Sequence, residues 1–401
     1  MRGYTVKKGD RYYAVIYEGI DPITGKERRR WYAAGPRKAD SERMVTDLVK
    51  RRNDGDYRAP EKQTLGDYLT AKWLPAQRSQ LRASTYHSYE RTIDLHVVPT
   101  LGKVEMSRLA PEDLDALYAK LLEGGRRNKR GGALSPASVR YVHRVLRKAL
   151  GDAVRKGSLA RNPASLADPP KDTARVDGSE MHVWTAAELA RFLGAIRDER
   201  LSAAYHLAAC TGMRRGEILG LRWTDVDLGT KRVSVRQALI AVAYEVRLSD
   251  VKTAAGRRTI DINRRDVKVL TGWRRRQSEE RLLAGPAWED HGLVFCQPDG
   301  RPIHPERFSR TFDHLVAKHG LPPIRPHDLR HTHASLLLKD GVPIKVVSER
   351  LGHASATFTM NTYQWLLPGM QAEAAAAFER ILATPEPAQE ADETAEAGDG
   401  E

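Results

Sequence analysis

The sequence predicts a mainly α-helical chain with small antiparallel β parts. Apolar residues recur at helical spacing over most of its length, strict alternation is confined to two short regions, and several helical stretches begin at clear start signals. At 401 residues the chain exceeds one typical core, so two or three domains are expected.

Residues 1–58 read as a small sheet plus a helix. Tyr12-Tyr13-Ala14-Val15-Ile16-Tyr17 and Arg29-Arg30-Trp31-Tyr32 are β-prone, with a turn at Asp21-Pro22-Ile23-Thr24-Gly25, and Met44, Val45, Leu48 and Val49 then fall at helical spacing. Asn53 to Gln63 is a polar linker containing Gly55 and Pro60. Residues 64–168 read as all-helical: Leu65, Tyr68, Leu69, Trp73 and Leu74 form one stripe, Pro111-Glu112-Asp113 starts a helix burying Leu114, Leu117, Tyr118 and Leu121, and Ser135-Pro136 starts another carrying Val139, Val142, Leu146 and Leu150. Arg126 to Gly132 between them is a basic, flexible loop.

Pro169 to Gly178 is a second linker, and 175–384 forms the next domain. It opens with Thr185-Ala186-Ala187-Glu188, a capping box ahead of Leu189, Phe192, Leu193 and Ile196. Val233 and Val235, then Tyr244, Val246 and Leu248, then Ile260 and Ile262 predict one short antiparallel sheet inside this helical domain. Ala374–Ala377 with Phe378, Ile381 and Leu382 makes a last apolar helix, and the acidic tail 385–401 is expected to be disordered.

Composition narrows the partners. Hydrophobic residues make up 41% and charged residues 29%, an ordinary globular mix, and no apolar run approaches the ~18 residues of a membrane span. The N-terminus lacks an apolar signal core and only two cysteines are present, Cys210 and Cys296, so a reduced cytoplasm is expected. Net charge is +14 although the tail carries seven acids and no base, so the remainder is more basic still. Such a surface suits a polyanion, because binding releases condensed counterions. Arg28, Arg29 and Arg30 interleaved with Trp31 read either as a strand face on nucleic acid or as protective charges on a solvated edge strand.

The chemistry-bearing residues lie downstream. Thr211-Gly212-Met213-Arg214-Arg215-Gly216-Glu217 offers an arginine with a carboxylate at i+3, and His327-Asp328-Leu329-Arg330-His331 offers a second arginine with histidine at i−3. Arginine's planar fork donates paired hydrogen bonds to phosphate. Leu351-Gly352-His353 precedes Tyr363 by ten residues. His327, His331 and His333 could instead hold a metal, but no Glu follows the first His and the downstream acids show no ligand pattern. His331 and His333 read as packing or supporting residues. Lys252, Arg257 and Arg258 lie between two strand candidates, where a lysine is normally solvated and the arginines could contact a DNA backbone.

At these motifs the chain resembles the tyrosine recombinases, the phage integrase family, over roughly residues 175–384 and more loosely throughout. The resemblance implies an arm-type DNA-binding module at 1–58, a helical, SAM-like core-binding domain at 64–168 and a mixed α/β catalytic domain. It implies catalytic roles for Arg214 (rather than Arg215), Lys252, His327, Arg330, His353 and Tyr363. Tyr363 would attack a scissile phosphate with His327 as base, Lys252 would protonate the departing 5′ oxygen, and His353 would donate to the phosphate. The expected reaction is site-specific recombination of double-stranded attachment sites through a 3′-phosphotyrosyl bond and a four-way junction, by a homotetramer, without metal, ATP or other cofactor. An integrase of a phage or integrative element fits, with an accessory DNA-bending or directionality factor as a candidate partner. Type IB topoisomerase-like relaxation and a DNA-binding regulator without cleavage activity are the alternatives.

Overall fold

The computed structural model describes residues 3–20, 25, 27–53, 63–126, 131–171, 182–250, 256–353, 355–363 and 370–383. The expected turn at 21–24, the basic stretch 127–130, most of both linkers, Lys252 and the acidic tail lie outside the described residues. The chain divides into two compact units, Met1–Ser179 and Glu180–Glu401. No helix among the described residues is long and apolar enough to cross a membrane.

The first unit begins with three antiparallel strands, β1 (Gly3–Lys8), β2 (Arg11–Ile20) and β3 (Glu27–Gly35), in that order across the sheet. Sequence reading found β2 and part of β3 but not β1. Its stretch Gly3 to Lys8 has only two strongly β-prone apolar residues, and pairing with β2 supplies the rest of its stability. Ala14, Val15 and Ile16 are buried, and helix α1 (Lys38–Asn53) packs on the sheet with Met44, Val45, Leu48 and Val49 as its half-buried face.

A helical core follows. Its first stripe is not a regular α-helix: turns at Leu65–Asp67 and Leu74–Ala76 flank a π-helical segment, Tyr68–Trp73. The widened turn keeps Leu65, Leu69 and Trp73, spaced four apart, on one buried side. Two buried polar bonds tie the segment down: Trp73 Nε1 donates to Asp152 at 2.9 Å, and Tyr68 Oη donates to the Ala149 carbonyl at 2.9 Å. Helices α2 (Ala83–Thr92), α3 (Pro111–Gly124) and α4 (Pro136–Arg155) complete the core. Ser135 caps α4 by accepting from the Ser138 N–H, and Val139, Val142, Leu146 and Leu150 are buried along it. Because Leu146 is fully buried, Leu146→Ala should cost about 2–5 kcal/mol, read as a lower denaturant midpoint for the first unit of the full chain.

The second unit is built on an aromatic core of Trp184, Phe192, Tyr205, Phe308 and Phe312. Helix α5 (Ala186–Ala195) starts at the expected capping box: Thr185 Oγ1 accepts from Glu188 N at 3.2 Å, and Glu188 accepts from Thr185 N at 2.8 Å. Helices α6 (Ser202–Thr211) and α7 (Arg215–Leu219) follow. The expected single sheet is in fact two. Strands β4 (Val226–Asp227), β5 (Arg232–Val235) and β8 (Arg258–Asp261) form one, while β6 (Gln237–Val242) and β7 (Glu245–Asp250) form a separate hairpin. Ala243 and Tyr244, with φ of 50° and 67°, make a two-residue turn of the primed kind that matches strand twist. Tyr244 is therefore the exposed tip rather than a strand residue. The hairpin lies against α7, where a side chain at Gly220 would come within 2.8 Å of the Leu239 nitrogen. Helices α8 (Arg264–Ala284), α9 (Pro305–Lys318), α10 (Asp328–Lys339), α11 (Ile344–Leu351), α12 (Ala356–Tyr363) and α13 (Met370–Ala383) complete the unit. Phe378, Ile381 and Leu382 of α13 are exposed.

Candidate active site

Two left-handed glycines shape the site. Gly212 (φ 64°) ends α6 and turns the chain into α7, and Gly352 (φ 69°) ends α11 and turns it toward His353. Arg214 stands at the N-cap of α7. Its Nη1 donates to Glu217 at 2.8 Å and its Nη2 donates to the Gly352 carbonyl at 3.2 Å, so one side chain joins the two turns.

Glu217 is buried and serves two arginines. Its other oxygen accepts from Arg258 Nη2 at 2.9 Å and from the Arg214 backbone N–H at 2.9 Å. Burial pushes this carboxyl up, but the hydrogen bond from Arg258 and the Arg214 contacts prevail and hold it below the usual carboxylate range. The stabilisation from this depression is therefore present above that range and is lost as pH falls through the folded value. Glu217→Gln should cost about 3–5 kcal/mol, because two guanidiniums lose the buried carboxylate they share. Thermal melts across pH 3–7 check this, with the difference from the parent chain shrinking at the acid end.

Arg258 corrects the sequence reading. Its side chain is buried, and its Nε donates to the Arg350 carbonyl at 2.7 Å, so it braces the site instead of facing a DNA backbone. Arg257 is exposed, as a backbone contact would require. Arg350, unremarked in the sequence, does similar work: it donates to His333 Nε2 at 3.1 Å and to the Cys210 carbonyl at 3.0 Å. Its place immediately before Leu351-Gly352-His353 was the available signal.

Arg330 lies on α10, whose start is held by Asp328 accepting from the Arg325 N–H at 2.8 Å. Only 2% of Arg330 is exposed. Nη1 donates to the Gly212 carbonyl at 2.7 Å, while Nη2 is buried and has no acceptor among the described residues. Burial, and then the charge of Arg214, bring its pKa down to about 9. A buried cation with an unspent donor is costly unless an anion meets it.

Three histidines and a phenol surround this arginine. His327 sits at the N-cap of α10 with an exposed face; enclosure by protein and the Arg330 charge lower its pKa. Burial and Arg330 bring His353 down to about 3, and its Nδ1 lies 2.7 Å from Thr359 Oγ1. Tyr363 ends α12 with 1% exposure, packed on Ala334, Leu338, Val347 and Leu351. Burial pushes its phenol up to about 12, with Arg330 pulling the other way.

The histidine that reaches the phenol is His331. Its Nδ1 is 2.7 Å from Tyr363 Oη, and its ring packs edge-on against His327 with centroids 5.1 Å apart. The sequence suggests His327 as the base and His331 as a packing residue; one helical turn separates them, and the tertiary fold turns His331 toward α12. Arg214, His327, Arg330, His353 and Tyr363 are thus gathered in one place. Lys252 lies outside the described residues, between the end of β7 and the start of β8. Arg28, Arg29 and Arg30 lie in the other unit: Arg28 and Arg29 are exposed, Arg30 is half-buried, and Arg29 donates to Glu27 at 3.0 Å and to Tyr4 Oη at 3.2 Å.

Behind the site, His206, Cys210 and Asp266 bring three donor atoms within 4.8 Å of one another. Asp266 already caps α8 through Asn263 and lies 2.8 Å from His206 Nε2, and the guanidiniums of Arg265 and Arg350 act on Cys210. Those bonds account for the cluster as an internal network. Burial raises the Cys210 thiol to about 12, which works against its use as a thiolate ligand.

An arginine pocket closed around a phenol and imidazoles, on a small mixed helical domain, defines a class: enzymes that break and rejoin DNA strands. Residues 183–367 match the phage integrase family, and residues 64–122 match the N-terminal SAM-like domain of phage integrases. The chain belongs to this family, the tyrosine recombinases, whose activity is site-specific DNA recombination without a metal. It is 27% identical to a XerC-like tyrosine recombinase of Caldanaerobacter subterraneus subsp. tengcongensis, over 92% of this chain and 96% of that protein. It is also 27% identical to the ICEBs1 integrase of Bacillus subtilis, over 94% and 100%. The fold resembles that of the Tn1549 transposon integrase solved with transposon right-end DNA (TM-score 0.64, 20% identity, 80% of this chain and 100% of that one). It also resembles a lambda integrase dimer on a core site (TM-score 0.54, 18% identity, 90% and 93%).

Proposed function

We propose that this recombinase integrates a mobile element by joining two double-stranded attachment sites, with Tyr363 as the nucleophile. The observation that carries the reading is the buried Arg330, whose free Nη2 lies in the same pocket as Arg214 and Tyr363. Arg214, Arg258 and Arg330 together face a single carboxylate, Glu217, which leaves net positive charge for a phosphate whose negative charge grows in the transition state.

In this reading Arg214 and Arg330 hold the non-bridging oxygens, His353 donates to the same phosphate, and His327 stands as the expected base. The Tyr363 oxygen attacks phosphorus, the 3′-phosphotyrosyl bond forms and the 5′ oxygen leaves with a proton from Lys252. The phosphodiester energy is retained in that bond, so a 5′ hydroxyl of the partner duplex can reverse the step and build a four-way junction. Four protomers complete two such rounds. Residues 64–168 clamp the core duplex, and 1–58, with Arg28, Arg29 and Arg30, bind accessory arm sites. The setting is the bacterial cytoplasm, on DNA, with an accessory bending or directionality factor as a further partner.

The test is a nicked suicide substrate carrying the cognate core site, incubated with the full chain in chelator. A covalent complex whose labelled peptide contains Tyr363 supports the assignment; a label on another tyrosine removes it. Recombinant product between two marked duplexes, rather than relaxation alone, supports strand exchange.

A further inference from the structure

We propose that His331 is the proton acceptor for Tyr363, taking the phenolic hydrogen through Nδ1 during cleavage and returning it during strand joining. The inference rests on Tyr363 being the nucleophile and names a residue that reading did not assign. Its geometry is direct: Nδ1 and Oη are 2.7 Å apart, and the two rings are 5.8 Å apart and tilted by 56°. His327, the alternative base, packs against the His331 ring and makes no hydrogen bond to Tyr363 among the described residues.

The protonation states fit. An imidazole accepts a proton only in its neutral form. Burial brings His331 down to about 4; His327, Arg330 and Arg325 facing it add to this, and Asp328 opposes it. Neutral His331 therefore accepts from the phenol in the free protein. Tyr363, held near 12, ionises too rarely at neutral pH to attack unaided. An arriving phosphate brings negative charge into the pocket, which raises the imidazole's proton affinity while Arg330 lowers the cost of the phenolate.

The step balances. The Tyr363 O–H bond breaks and its proton passes to His331 Nδ1. The freed electron pair forms the O–P bond, and the P–O5′ bond breaks with its pair going to the 5′ oxygen, which is protonated by the acid assigned to Lys252. In joining, the incoming 5′ hydroxyl gives its proton to the group assigned to Lys252 and attacks phosphorus, and the P–O bond to Tyr363 breaks as the phenolic oxygen recovers its proton from His331.

The experiment compares His331→Asn, His331→Gly, His327→Asn and Tyr363→Phe in the full chain by single-turnover cleavage from pH 6 to 10, with DNA affinity measured in parallel. Asparagine can accept a hydrogen bond near the Nδ1 position but is not basic, so it preserves placement and removes proton transfer. We expect His331→Asn to bind DNA normally, to cleave ~10²–10⁴-fold more slowly, and to gain rate steadily with pH as phenolate accumulates. Added imidazole should restore His331→Gly. A substrate with a bridging 5′ sulfur, whose leaving group needs no acid, should leave the His331→Asn defect in place. The proposal is overturned if His331→Asn cleaves at the parental rate with the parental pH profile. It is equally overturned if the loss comes without a changed pH profile or imidazole rescue, if the sulfur substrate cures it, or if His327→Asn alone shows the pattern. An adduct persisting in Tyr363→Phe would instead sink the nucleophile assignment, so the two failures are separable.

Discussion

Tyr363→Phe should form no covalent complex with a suicide substrate while binding the same DNA with unchanged affinity. The expected loss is complete, because no other atom at that position can ester-link to phosphorus. The fold should tolerate the change. The ring stays packed on Ala334, Leu338, Val347 and Leu351, and among the described residues the bond lost is the one to half-buried His331, worth about 1 kcal/mol. A melting temperature near the parental value would confirm that the lost adduct is chemical in origin. A covalent complex in this variant would place the nucleophile on another residue.

Arg330→Ala should produce the second-largest effect. Cleavage should fall by at least ~10²–10³-fold, the usual cost of removing one donor aimed at developing negative charge. Affinity should change far less, since binding a duplex is spread over many phosphate contacts. The stability outcome separates two roles for this side chain. A guanidinium that only braced the Gly212 turn would cost stability when removed. One that also keeps a buried donor without an acceptor gives back part of its desolvation cost on removal, so stability should fall by less than the lost Gly212 bond and packing alone would imply. A cleavage loss matched by an equal loss of affinity would reduce Arg330 to a positioning contact. Arg330→Lys should recover only part of the rate, because an ammonium cannot donate to Gly212 and phosphate with the same fork.

The helical class, the capped helix starts and the N-terminal sheet were readable because each depends on local features: apolar spacing, a Thr185–Glu188 box, a Ser135 cap, a β-prone run in β2. The misreadings also have local causes. The stretch Gly3 to Lys8 lacks the composition of a strand and becomes one by pairing with β2. Tyr244 alternates correctly with Val246 and Leu248, yet positive φ at two successive residues turns it into a hairpin tip and splits the expected sheet in two. The Leu65–Leu74 stripe suits an ordinary helix equally well, and only its buried bonds to Ala149 and Asp152 accompany the wider π turn.

The motif residues themselves, Arg214, His327, Arg330, His353 and Tyr363, stood out in the sequence through the resemblance to a known family and the suitability of their side chains for phosphate chemistry. Their partners were not. Arg258 and Arg257 are adjacent in the chain, and only packing sends one inward to Glu217 and leaves the other in solvent. His327 and His331 are one turn apart on the same helix start, and Tyr363 is thirty-two residues beyond His331. Periodicity relates residues within one element; it carries no information about how α10 and α12 are rotated against each other. Composition and motif spacing therefore determined which chemical groups this chain possesses and which reaction class they suit. Long-range packing decided which imidazole meets the phenol and which guanidinium keeps a donor free, because both depend on distances between elements far apart in the chain.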